Sequence, residues 1–153
     1  MSRRRTVPRT QAMLFLAYQA SARELTQTIH GGGHPALRPK HGAVFATIDH
    51  RGTRATTLAS RAGITKAAMG ELIDELEGLG YLERHPDESD RRAKLVVPTP
   101  AALDVLRLVD EFNKRWEARY RRKLGREAYE SLRASLRTIA APANRSRRSR
   151  NQH

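Results

Sequence analysis

Between residues 53 and 98 the apolar positions change period twice. Leu58, Ala59 and Ala62 fall on one helical face, Gly63 interrupts, and Met69, Leu72, Ile73 and Leu76 then recur three and four residues apart. This predicts two short helices across a glycine turn. Thr56 or Thr57 is placed to cap the first, Thr65 to cap the second, and Gly80 to end it. Residues 81–84 and 93–97 then alternate as a pair of strands joined by a polar loop of eight residues. The order is that of a helix-turn-helix followed by a hairpin wing. The loop is longer than a tight hairpin needs, which favours a reaching role for it.

The flanks are helical. Residues 6–29 predict a first helix, with Pro8 near its start and Leu14, Tyr18, Ala22, Leu25 and Ile29 as a seam. Gly31, Gly32 and Gly33 break it, and Pro39 opens a second helix to about residue 49 with Val44, Phe45 and Ile48 inward. After the wing, Pro98-Thr99-Pro100 stops the last strand and starts a long helix striped by Leu103, Leu106, Val109, Phe112, Trp116 and Tyr120. Gly125 separates a last helix, carrying Tyr129, Leu132, Leu136 and Ile139, which Pro142 ends. The first helix and the last two bear more apolar surface than a small domain covers alone. A symmetric dimer through Leu14, Tyr18, Leu25, Leu132, Leu136 and Ile139 is expected, the alternative being that these stripes pack on one another within one chain.

The expected fold is therefore mainly α with a small β-hairpin wing, a winged helix-turn-helix with a helical dimerisation region from both termini. The boundaries follow the pattern: a basic tail at 1–10, a dimerisation helix and loop at 11–36, the winged lobe at 37–99, the long and last helices at 100–141, and a second basic tail at 142–153.

Charge sharpens this picture. The 153 residues carry a net charge of +13, but Arg3, Arg4, Arg5 and Arg9 at one end and Arg145, Arg147, Arg148 and Arg150 at the other supply +8 of it. Such tails suit a polyanion, since phosphate contacts release counterions, and they equally suit a solvated end. With no cysteine, disulfides and thiolate metal sites are excluded. Arginines before the apolar run at 12–17 have the order of an export signal, but the run is short and continues amphipathically, so a cytoplasmic chain is expected. No stretch reaches membrane-spanning length.

The stretch LASRAGITKAAMGELIDELEGLGYLERHPDESDRRAKLV resembles the MarR family of bacterial transcription regulators, at motif level from about residue 37 to 99. The resemblance implies a homodimer that binds a palindromic operator in double-stranded DNA. It also implies release when a small aromatic or lipophilic effector enters a cleft between the dimer and DNA-binding lobes. It further implies that Asp90 and Arg92 are the wing-tip acid and arginine, Asp90 holding the loop and Arg92 entering the minor groove. A planar, permanently charged guanidinium suits that narrow, electronegative groove. Arg91 and Lys94 are alternative phosphate ligands, and the wing's four acids against four bases are equally consistent with a solvated loop of ion pairs.

The second helix departs from the family habit of polar or basic groups in its first turn. It holds Lys66 against Glu71, Asp74, Glu75 and Glu77, and presents Ala67, Ala68, Gly70 and Glu71 at the face expected to meet DNA. Methyl contacts from Ala67 or Ala68 and a Glu71 contact to a cytosine amine remain open to such a face, with Lys66 on phosphate. Arg54, Thr56, Thr57 and Arg84 complete the candidate interface. For an effector, His41, Phe45 and Trp116 are candidate cleft residues, although each type is more often plain core. No metal or other cofactor is expected: His30, His34, His41 and His50 lack fixed ligand spacing. Ser60, Ser89 and Asp90 sit in no nucleophile elbow, zinc motif or nucleotide fingerprint, which argues against an enzyme. The rival function is a winged module that shapes DNA or binds protein without reading sequence.

Overall fold

In the computed structural model, residues 9–141 are described. Pro8, Pro142 and all but Arg9 of the tail arginines lie outside them. The chain forms two compact units, one up to Phe112 and one from Asn113.

The first unit begins with α1, Thr10–Gly31, one residue past Arg9 at its N-cap position. The helix continues through His30 and Gly31, and the break expected at the first glycine falls at Gly32. A methyl group on Gly32 would sit 2.4 Å from Leu108 Cδ1, so Leu108 packs against a bare backbone there and would have to move to admit a side chain. A 3₁₀ turn, Pro39–His41, leads into α2, Gly42–Phe45. This helix is much shorter than the span to residue 49 that periodicity predicts. The Thr47 hydroxyl donates back to Ala43 O at 2.8 Å, and the Asp49 amide donates to Thr53 Oγ1 at 2.9 Å. Side chains thus compete for the backbone groups a longer helix would use. Val44, Phe45 and Ile48 are nevertheless all buried.

Thr53–Arg54 forms β1, which pairs with β3, Asp90–Pro98; β2, Leu82–Asp87, pairs with the other edge of β3. The sheet is thus three-stranded and antiparallel, in the order β1-β3-β2. A strand of two residues shows no alternation, so sequence period reveals only the hairpin. Between β1 and the hairpin lie α3, Ala55–Ala62, and α4, Lys66–Gly78. Leu58, Met69, Ile73 and Leu76 have no exposed surface, and Val44, Val96, Ala102 and Val105 close the same core. Burying each larger side chain contributes about 1.5–3 kcal/mol before entropy is charged.

One polar cluster ties the base of the wing to the helix that follows it, α5, Pro100–Leu124. Buried His34 lies 2.9 Å from both Tyr81 Oη and Asp104 Oδ2, through its two ring nitrogens. With the carboxylate as acceptor, Nε2 carries the proton and Nδ1 accepts from the tyrosine hydroxyl. The His34 hydrogen bond and then Arg107 hold Asp104 below the ordinary carboxylate range, and burial raises the Tyr81 pKa.

The second unit holds the end of α5 and, after Gly125, α6, Arg126–Ala140. Arg121 donates to Glu130 at 3.2 Å and lies 5.1 Å from the ring centroid of buried Tyr129. Leu132, Leu136 and Ile139 remain exposed by 40% or more, as do Met13, Phe15, Leu16 and Tyr18 on α1.

The contact at Gly32 generates a paired prediction. Gly32→Ala should lower stability by about 1 kcal/mol as Leu108 is driven from its rotamer. Gly31→Ala, whose added methyl meets nothing within 4 Å, should be neutral or stabilising. Urea midpoints measure both, and equal shifts would show that Leu108 yields freely.

Candidate nucleic-acid interface

The α3–α4 turn is built by two local devices. Gly63 follows α3 at φ +66, a left-handed conformation that side chains resist. The Thr65 hydroxyl then accepts the Ala68 amide at 3.1 Å and caps α4. The cap expected of Thr56 or Thr57 does not form. The chain enters α3 straight from β1 with Arg54 at the N-cap and no side-chain cap, leaving both threonines inside the first turn. Thr53, one residue further back, is occupied by Asp49: it accepts the Asp49 amide and donates to Asp49 Oδ2 at 3.2 Å. Arg61 donates to the same carboxylate at 2.9 Å, and this bond is the main cause of the lowered Asp49 pKa.

Along α4, Met69, Ile73 and Leu76 face the core, and Lys66, Ala67 and Glu71 are exposed. Ala68 and Gly70 are half-buried. No atom outside the helix's own backbone lies within 4 Å of where a Gly70 Cβ would sit, so the fold does not require glycine at that point. Ala68 and Glu71 also border an open depression of about 360 Å³, whose other walls are Lys40, Ala43, Ile64, Leu72 and Glu75.

The acids further along α4 are paired. Arg84 on β2 donates from Nη2 to Asp74 Oδ1 at 2.5 Å and from Nη1 to Glu77 Oε2. Lys40 Nζ lies 2.5 Å from Glu75 Oε2, and buried His41 places Nε2 3.4 Å from Glu75 Oε1. The bond from Lys40, followed by His41, keeps Glu75 below its ordinary range. Three of the four carboxylates that make the helix acidic are therefore held by cations from other elements.

The wing departs from the expected eight-residue loop. Its strands run on to a two-residue turn, Glu88-Ser89, with a bulge at Pro86-Asp87. Ladder bonds are made by the backbone, and both faces of a projecting hairpin are wet, so its outer half carries no apolar alternation to read. The turn is anchored by Asp87. Its Oδ2 accepts from Arg54 Nε at 2.7 Å and lies 2.5 Å from Arg54 Nη2, while Oδ1 accepts from the Ser89 amide and hydroxyl at 2.9 and 2.7 Å. Ser89, then Arg54, depress the Asp87 pKa to about 2.

Asp87 thus holds the loop alongside Asp90, to which the resemblance assigns that role. Asp90 accepts the Arg92 backbone amide at 3.0 Å and lies 4.0 Å from Arg54. The side chains of Arg91, Arg92 and Lys94 are exposed and without a hydrogen-bond or ion-pair partner among the described residues. Arg54 and Arg84, grouped with them by sequence, are instead engaged by carboxylates. Neither Asp87 nor Ser89 is singled out by charge pattern, although Asp-x-Ser is a local turn signature that marks them.

The candidate cleft residues have other partners. His41 Nδ1 accepts the Arg38 amide at 3.0 Å, and Phe45 packs edge-on to Tyr81 with ring centroids 6.2 Å apart. Trp116, in the second unit, lies against Tyr120 at 4.3 Å between centroids. The histidines are dispersed: His30 meets Leu37 O, and His34 and His41 have the partners given above. No group of three potential metal ligands occurs among the described residues.

Comparison with known proteins places this geometry. Residues 37–93 match the model of the MarR family. Among solved structures, the transcriptional repressor CouR bound to a 23-mer DNA duplex shares 25% identity with a TM-score of 0.69, over 87% of this chain and 93% of that one. CouR from Rhodococcus jostii RHA1 bound to p-coumaroyl-CoA shares 26% identity with a TM-score of 0.64, over 86% and 92%. FabT of Streptococcus pneumoniae in complex with DNA, at 15% identity, shares the fold with a TM-score of 0.70 over 84% and 90%. A search of curated proteins by sequence finds no match.

Asp87 generates a pH prediction. A carboxyl with a depressed pKa contributes stability that is present above its ordinary value of 3.8 and is lost as pH falls through about 2. The Ser89 amide resonance should therefore hold its position through pH 4 and move only in stronger acid, and in Asp87→Asn it should be displaced at every pH. Movement centred near the ordinary value would show that the anchor does not form.

Proposed function

Starting from a winged lobe of the MarR family, we propose that this chain is a cytoplasmic, ligand-responsive transcription repressor that binds a palindromic operator as a homodimer. The carrying observation is the pairing pattern. Arg91, Arg92 and Lys94 stand free on a hairpin anchored by Asp87, beside a capped helix three of whose four acids are paired. Arg92 enters the minor groove, Arg91 and Lys94 meet phosphate, and the amino-terminal turn of α4 lies in the major groove with Lys66 on the backbone. Ala67, Ala68 and Gly70 allow close approach, and Glu71 is placed for a cytosine amine. Thr56 and Thr57 approach the backbone from the first turn of α3.

The dimer contacts are exposed apolar side chains on each helix: Tyr18 on α1, together with half-buried Leu14 and Leu25 of that helix, and Leu132, Leu136 and Ile139 on α6. The terminal helices make up the dimerisation region, residues 37–99 the DNA-binding lobe, and the basic tails add contacts to phosphate irrespective of sequence. A small aromatic or lipophilic effector is supported by the CouR structure that holds p-coumaroyl-CoA. The similar proteins are transcription regulators, and no catalytic role is proposed. Among the described residues no helix is long and apolar enough to cross a membrane. The small, acid-bearing α4 favours one second reading, a winged module that binds DNA without reading its sequence.

Selection of bound duplexes from a random pool separates the two. The repressor should enrich a palindrome with half-sites about one helical turn, roughly 10 bp, apart, and the second reading enriches nothing. On that duplex Arg92→Ala should weaken binding about tenfold or more; unchanged affinity would remove the wing from the interface. Sedimentation equilibrium should give twice the chain mass, and Leu136→Glu should yield monomer. A monomeric wild type would refute the dimer.

A further inference from the structure

Arg84 poses a problem that its charge alone does not solve. It lies on β2, the wing strand nearest α4, where a basic side chain invites assignment to DNA phosphate. Yet both terminal nitrogens of its guanidinium already donate, to Asp74 and to Glu77 of α4. Its side chain is only 28% exposed, whereas Asp74 is 69% exposed. To reach a phosphate Arg84 would have to release both carboxylates and leave two negative charges on the helix beside DNA. The exchange gains one attraction and creates two repulsions, so the geometry favours the internal pairs.

Resting on the DNA-binding function above, we propose that Arg84 is a positioning residue for operator binding. It masks Asp74 and Glu77 and braces the wing strand against α4, without touching DNA. Electrostatically, one guanidinium spans two carboxylates through separate nitrogens, which lysine with its single ammonium cannot do. The acidic face of α4 becomes compatible with a polyanion. Mechanically, α4 is pinned by its apolar stripe on one side and by Arg84 on the other, and β2, which carries Arg84, leads directly to the tip bearing Arg91 and Arg92. The distance between the helix and the wing-tip cations is thereby set before DNA arrives.

The test is a rescue experiment on the full chain, using as probe the duplex recovered by wild type from the random pool. Thermal unfolding confirms that each variant is folded. Arg84→Ala should weaken binding by about tenfold or more, since two unmasked acids face the backbone. Adding Asp74→Asn and Glu77→Gln to Arg84→Ala should restore affinity to within about threefold of wild type, because the charges that needed masking are gone. Arg84→Lys should fall between wild type and alanine. The same Asn and Gln changes with Arg84 intact should bind at least as tightly as wild type.

Three results would overturn the proposal. Full affinity in Arg84→Ala removes any role in binding. A folded triple variant that stays as weak as Arg84→Ala means that masking Asp74 and Glu77 is not what Arg84 contributes to binding. Loss of binding in the Asn and Gln variant with Arg84 intact means that the acids are needed for themselves. Failure of the wild type to bind any duplex would overturn the DNA-binding function and this proposal together, whereas wild-type binding with any of the three results overturns the proposal alone.

Discussion

Met69, Ile73 and Leu76 retain no exposed surface, and the helix that carries them cannot rotate without bringing apolar area back into water. The other features of the lobe depend on that constraint. Because the stripe faces α2, α3 and β2, Lys66, Ala67 and Glu71 are left in solvent, and Asp74 and Glu77 come within reach of Arg84 on the neighbouring strand. Packing fixes the orientation of α4, and electrostatics then acts on whichever side chains that orientation exposes.

A division of labour among the charges follows. Cations close to the body of the lobe, Arg54, Arg61, Arg84 and Lys40, are spent on carboxylates and hold elements together. Those toward the hairpin tip, Arg91, Arg92 and Lys94, have no partner among the described residues. The wing as a whole has balanced charge, but its balance is uneven in space, and a net count along the sequence conceals this. The acidity of α4, which by count opposes DNA binding, is largely consumed within the protein.

The helix-turn-helix was legible because its signals are local. The stripe of α4, the Thr65 cap and the Gly63 turn each occupy a few consecutive residues and appear in the structure where the pattern places them. Departures from the pattern lie at the ends of elements. The Thr56 or Thr57 cap failed because β1 delivers the chain into α3 directly, and α2 stopped early because Thr47 and Thr53 took its backbone partners. The wing turn is shorter than the pattern indicates because strand pairing at a wet hairpin tip leaves no hydrophobic trace.

At the candidate interface the residue types were legible and their partners were not. Arg84 and Arg92 look alike in sequence, two arginines flanking one acidic loop. One is clamped between Asp74 and Glu77 and the other is free, a difference set by how β2 lies against α4. The sequence alone determined the order of the helices, the hairpin that follows them and the buried face of α4, because helix period, caps and turns depend on neighbours in the chain; the two-residue β1 and the short α2 left no such trace. Only the tertiary structure decided which charges are spent inside the protein and which remain for a partner, because ion pairing depends on distances between segments that the chain order does not contain.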